Sequence, residues 1–193
     1  MLLLYRHSDE QADAASRYVN EALSRGYLTI YLPLTTTSIS KSIDFEEEKE
    51  DDIVNRGNLL TFDTRTFYNF ALAGDMQPFE ELKVLVEEAL EEKRRIAFKR
   101  GMPNEEEIVV LVAGVAAELA RNGKFEEAVK LEEWWQKTYS EWMQKGLKIT
   151  IICPHSNTVL DNGEFVHYKK AISSLHDVVL GVESGGLNDE DKV

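Results

Sequence analysis

Short apolar runs alternate with longer amphipathic stretches along almost the whole chain. Leu2 to Tyr5 is apolar, and the polar run "RHSDEQ" follows at once. Within it, Ser8 and Gln11 form an S-x-x-Q capping box, in which each side chain satisfies an orphan amide at a helix start. Ala12, Ala15, Val19, Ala22 and Leu23 then recur at helical spacing. Gly26 stands in the C′ position that ends such a helix. "YLTIYLPL" (27–34) predicts a second strand, and "GNLLTFDTRTFY" (57–68) a third strand turning into a helix. "FEELKVLVEEALEEKRRIAFKRG" (79–101) predicts a long amphipathic helix with Leu82, Leu85, Val86, Ala89, Ile96 and Ala97 as its buried stripe. "EIVVLVAGV" (107–115) is β-branched and apolar throughout, as a strand covered on both faces should be. Helices are predicted over 115–121 and 125–145, a central strand over "LKITIICPH" (147–155), a helix over 164–176 and a strand over 177–183. The remainder, 184–193, reads as a disordered tail, leaving one domain over 1–183.

Strands that alternate with helices predict parallel strands joined by right-handed crossovers, hence an α/β three-layer sandwich with a mostly parallel central sheet. Ligands of such sheets sit outside the carboxyl ends of the strands. The residues just after each strand are therefore the first candidates: Arg6 and His7, Thr35 to Thr37, Asp63 to Arg65, Gly114 to Glu118, and Cys153 to Asn157. Pro154 cannot donate to a ladder, so regular pairing of the central strand is expected to stop at Cys153.

Composition narrows the function classes. With 193 residues, 43% hydrophobic and 30% charged, the chain suits one globular domain. A net charge of −13 argues against direct nucleic-acid binding and against docking to an anionic membrane. No apolar run approaches the ~18 residues of a membrane span, and the start lacks the features of a signal peptide. The single cysteine excludes an internal disulfide framework and fits a cytoplasmic setting. Seven carboxylates between Asp44 and Asp52 read as a solvated segment, because the spacing and glycine of a calcium loop are missing.

Several kinds of chemistry are absent from the pattern. "RHSDEQ" has neither the glycines nor the lysine of a phosphate loop. There is no G-x-G-x-x-G, no G-x-S-x-G and no Cys/His set with zinc spacing. No cofactor, no metal and no catalysis are expected. Cys153 reads as a packing or ligand-lining residue, with a Cys153–His155 nucleophile as the other reading.

In their order, the pieces "LLLYRHSDEQ", "RGYLTIYL", Gly57 with Leu59 and Tyr68, "VLVAGVAAE" and "KLEEWWQKTYSEWMQKGLKITIICPH" make the chain resemble the MEDS family of sensory domains. The resemblance spans about residues 1 to 183. It implies a RecA-like, P-loop-NTPase-like fold that has lost its phosphate loop and a non-catalytic role in sensing a small organic molecule, in signal transduction or transcriptional regulation. A protein partner or a homodimer would carry the output. His155 stands where the family usually has an aromatic, which implies a different ligand. The alternative is a degenerate RecA-like ATPase homologue that still binds nucleotide.

The ligand site implied by these readings is made of Arg6, His7, Glu118, Cys153 and His155, with Cys153 at a pocket edge near Arg6 or His7. Each has a plainer reading: Arg6 and His7 as surface loop residues, and Glu118, like Glu132, as a solvated helix glutamate. Trp135 and Trp142 share a helix face while Trp134 points elsewhere; they read as core or as a pocket wall.

Overall fold

The computed structural model describes residues 1–6, 8–32, 58–99, 108–161, 166–183 and 186–189. His7, Thr35 to Thr37, the acidic run 44–52 and the capping-box side chains of Ser8 and Gln11 lie outside the described residues.

Seven strands form one sheet: β1 (Leu2–Tyr5), β2 (Leu28–Leu32), β3 (Leu59–Thr61), β4 (Ile108–Ala113), β5 (Lys148–Ser156), β6 (Val179–Glu183) and β7 (Gly186–Asp189). Their order is β3-β2-β4-β5-β1-β6-β7. The first six are parallel, and β7 returns antiparallel to β6. The described helices are α1 (Ser8–Ser24), α2 (Thr64–Ala73), α3 (Gln77–Lys99), α4 (Val115–Arg121), α5 (Phe125–Gln144), α6 (Asn157–Leu160) and α7 (Val166–Ser174). This is the expected α/β sandwich with a mostly parallel sheet, RecA-like in layout. Gly186–Asp189 lies in the stretch expected to be a disordered tail, and it pairs with β6 instead. Its alternation is too short to stand out until a neighbouring strand supplies the ladder.

Strand alternation sorts the core into two layers. Leu2, Leu4, Ile30, Leu111, Ile149, Ile151 and Cys153 face one way, against α2 to α7. Leu3, Tyr31, Val112 and Ile152 face the other, against Ala15, Val19, Ala22 and Leu23 of α1. Each such side chain, fully buried, contributes about 1.5–3 kcal/mol. Strands covered on both sides can therefore be apolar at every position, as in β1 and β2.

Two glycines set how helices hand over to strands. Gly26 (φ 74) and Gly146 (φ 74) lie in the left-handed region that side-chain-bearing residues avoid. After α5, Gly146 N–H donates to Met143 O and Leu147 N–H to Trp142 O, the paired bonds of a Schellman ending. The turn drops the chain straight into β5 and lays α5 across it.

Two expectations are corrected. Pairing does not stop at Cys153: β5 continues beside β1 through Leu3↔Pro154, Leu4↔His155 and Tyr5↔Ser156. It stops only on the β4 side, where the ladder ends at Val112↔Ile152. Cys153 N–H points to β1, donating to Met1 O at 2.9 Å, so the nitrogen of Pro154 faces β4. The missing donor therefore ends one ladder and not the other. On α3, Phe79, Leu82, Val86 and Leu90 are buried, while Leu85 and Ile96 are exposed at 47% and 38%. The buried line is narrower than the apolar spacing suggests, because α3 lies at the edge of the core.

Candidate functional site

Helix α5 begins after Gly123 (φ 72) and packs its apolar stripe on β5. The stripe comprises Phe125, Ala128, Leu131, Trp135, Thr138 and Trp142, and Glu132 sits within it. A carboxylate at such a position is carried into the interior by its neighbours, and Glu132 is only 1% exposed. An isolated buried charge costs several kcal/mol, so it must be paired.

Its partners are imidazoles. Glu132 Oε1 lies 2.8 Å from His155 Nε2, and both side chains are buried. A carboxylate only accepts, so His155 Nε2 carries the proton and donates. His176, just beyond α7, has Nδ1 2.8 Å from the carbonyl of Ile172. A carbonyl also only accepts, so Nδ1 carries a proton there and the second nitrogen is left to face the acid. Nε2 of His176 is 3.4 Å from Glu132 Oε2. Burial alone would push the Glu132 carboxyl up, but the hydrogen bonds and charge of His155 and His176 outweigh it and hold the carboxyl well below the usual range. Glu132 is therefore ionised at neutral pH.

Cys153 of β5 completes the group. One ligand atom from each of Glu132, Cys153 and His176 lies within 4.8 Å of the others. Burial pushes the Cys153 thiol well up, and the Glu132 charge pushes it further. Left to itself the sulfur stays protonated, a poor nucleophile.

These residues line a cavity of about 230 Å³. Trp135, Gln136 and Tyr139 of α5 form one wall and Ile149 to Ile151 of β5 the other, with Met1, Asp177 and Val178 at the amino ends of β1 and β6. Among the described residues, three buried polar atoms at or beside it have no hydrogen-bond partner: Glu132 Oε2, Trp135 Nε1 and His155 Nδ1. Such atoms are uncommon in folded proteins, and a bound water or ion is one of the usual reasons for them.

The cavity opens at the amino ends of the strands, the opposite end from that expected. Cys153 pairs with Leu2, whereas Arg6 follows Tyr5, whose partner is Ser156. Cys153 and Arg6 are thus separated by the length of β1 and are not brought together. Arg6 is exposed, and His7 lies outside the described residues. Glu118 lies at the carboxyl end on α4, where it pairs with Arg121 at 3.0 Å, and Arg121 donates to the Tyr5 hydroxyl at 3.3 Å. Of the five sequence-derived candidates, the structure joins only Cys153 and His155, through Glu132. Glu132 carried a sequence signal, its place on the α5 stripe. His176 carried none, because its role depends on where α7 ends relative to α5.

Fold and site together define a RecA-like α/β domain whose first strand leads into a sequence without phosphate-loop glycines, with an acid–imidazole–thiol cavity under α5. No family model matches the chain, and no curated protein does. One similar solved structure is the ATPase domain of a helicase: the match covers 93% of this chain and 67% of that one, at 10% identity and a TM-score of 0.39. No helix among the described residues is long and apolar enough to cross a membrane.

Proposed function

We propose that this domain is a non-catalytic sensing module that binds a small organic molecule in the cavity under α5 and passes its occupancy to a protein partner or a second copy. The observation that carries this is the cavity itself. It has aromatic and aliphatic walls, few polar groups, and buried polar atoms left without partners, which is the make-up of a small-ligand site. At about 230 Å³ it lies below the ~300–1,000 Å³ of drug-sized pockets, so the ligand is small. Two features favour binding over catalysis. "RHSDEQ" lacks the donors that phosphoryl transfer uses, and the Cys153 thiol is held in its unreactive form. The MEDS resemblance points the same way.

The test uses the tryptophan in the wall. Phenol, benzylamine and short-chain alcohols are titrated into chelator-treated protein while tryptophan emission and Tm are followed. Saturable changes that vanish in Gln136→Trp, which fills the half-buried rim, support the reading. ATP with magnesium serves as the contrast: saturable micromolar binding or steady-state turnover would instead favour the degenerate ATPase. Failure of every small probe, with Gln136→Trp behaving as wild type, overturns the proposal.

A further inference from the structure

Glu132, Cys153 and His176 come from a helix, a strand and a loop, yet their ligand atoms lie within 4.8 Å of one another at the floor of a cavity. We infer that these three side chains form a divalent metal centre of the zinc class, with three protein ligands and a fourth position open to the cavity. Four independent features support it. The first is geometric. Two ligands bound at about 2.0–2.1 Å and related by a tetrahedral angle are about 3.3 Å apart; Glu132 Oε2 and His176 Nε2 are 3.4 Å apart. The second is the orphaned oxygen: Oε2 is deeply buried, has no hydrogen-bond partner among the described residues, and belongs to a residue lining the cavity.

The third is the state of the imidazole. His176 donates through Nδ1 to the Ile172 carbonyl, which leaves the Nε2 lone pair toward the acid. A backbone carbonyl that fixes the tautomer and turns the other nitrogen inward is the usual support of a metal-bound histidine. His155 supplies the matching support for Glu132, holding Oε1 while Oε2 stays free. The fourth is charge. A dication, one carboxylate and one thiolate sum to zero, so the loaded site leaves no net charge in the interior. On binding, the thiol proton of Cys153 is released to solvent and the sulfur becomes the third ligand.

The donor set selects the metal. One oxygen, one sulfur and one nitrogen suit zinc or a neighbouring transition metal, whereas calcium and magnesium require mostly oxygen. Three protein ligands with a vacancy is the arrangement of sites that bind a further small ligand, in contrast to closed four-ligand structural sites. Use of the vacancy to take a donor atom of the sensed molecule rests on the proposed sensing function; metal binding itself does not.

The test is metal loading of the chelator-treated full chain. Zinc is expected to bind at one equivalent per chain by elemental analysis and to raise Tm. Cobalt(II) is expected to give a thiolate-to-metal charge-transfer band and tetrahedral d–d absorption. Cys153→Ser should abolish the charge-transfer band, and His176→Gln should weaken zinc at least tenfold. His155→Gln should keep the band but lose about 10–100-fold in affinity, as changes to groups supporting a ligand do. Cobalt bound without the band, or zinc affinity unchanged in both Cys153→Ser and His176→Gln, overturns the inference. If the variants fail to fold, the wild-type protein still decides: no cobalt–thiolate band and no zinc-dependent rise in Tm sinks it. Small-probe binding retained by metal-free protein would show that the cavity reading survives such a failure.

Discussion

Replacing Glu132 by alanine removes the one acceptor of the buried His155 Nε2–H, a bond of 2.8 Å, and leaves a void under α5. Removing one partner of a buried ion pair costs about 3–5 kcal/mol, since the other polar group stays desolvated and unpaired. Against a total of about 5–15 kcal/mol for a domain, that is a large share. With a urea m-value of about 2 kcal/mol/M, the unfolding midpoint should fall by about 1.5–2.5 M. Glu132→Gln separates charge from hydrogen bonding. Its carbonyl oxygen can still accept from His155, and its amide can donate to the Nε2 lone pair of His176. Its cost at neutral pH should be about 1 kcal/mol. The two proteins should also differ in pH dependence. The Glu132 carboxyl titrates below its ordinary 4.5 when folded, so its contribution is present above that pH and is lost as pH falls further. The gap between wild type and Glu132→Gln should therefore narrow as pH drops below about 4.5. The assay is urea unfolding followed by far-ultraviolet circular dichroism, with chelator throughout. An alanine cost under about 1 kcal/mol, or a glutamine gap that does not change with pH, would refute the pairing described here.

Trp142→Phe should destabilise by about 1–3 kcal/mol, because the ring is fully buried and its Nε1 donates to Glu87 Oε1 at 2.8 Å; urea unfolding measures it. Burial tends to raise the Glu87 carboxyl, but its bonds from Lys145 and Trp142 outweigh that, so its contribution is present above about pH 4.5 and fades below, and the variant should show a shallower loss there. Gly146→Ala should cost about 1 kcal/mol in thermal unfolding from backbone strain alone, since nothing lies within 4 Å of the added carbon. Native Cys153 should react with a bulky disulfide reagent at least about a thousandfold more slowly than in urea, as its sulfur is enclosed and protonated. Labelling at the unfolded rate would contradict its placement.

By itself the sequence determined the alternation of elements. Runs such as "EIVVLVAGV" and "ITIIC" are apolar at every position and can only be strands covered on both faces. The helical spacing of α1 and α5, and the glycine ending α1, follow from local rules that need no distant neighbour. The shared face of Trp135 and Trp142 was legible for the same reason, and both are buried while Trp134 turns away to bond Glu80.

Only the tertiary structure decided which end of the sheet holds the site. Strand register puts Cys153 opposite Leu2 and Arg6 beyond Tyr5, and no local pattern encodes register between strands so far apart in the chain. It also decided which ladder Pro154 interrupts, since that depends on which neighbour its nitrogen faces. Glu132 and His176 meet because the α5–β5 turn and the end of α7 converge on one cavity. Each residue alone has the composition of a solvated surface group. What makes them a site is the removal of water around a charge, a property of packing that appears only once the layers are assembled.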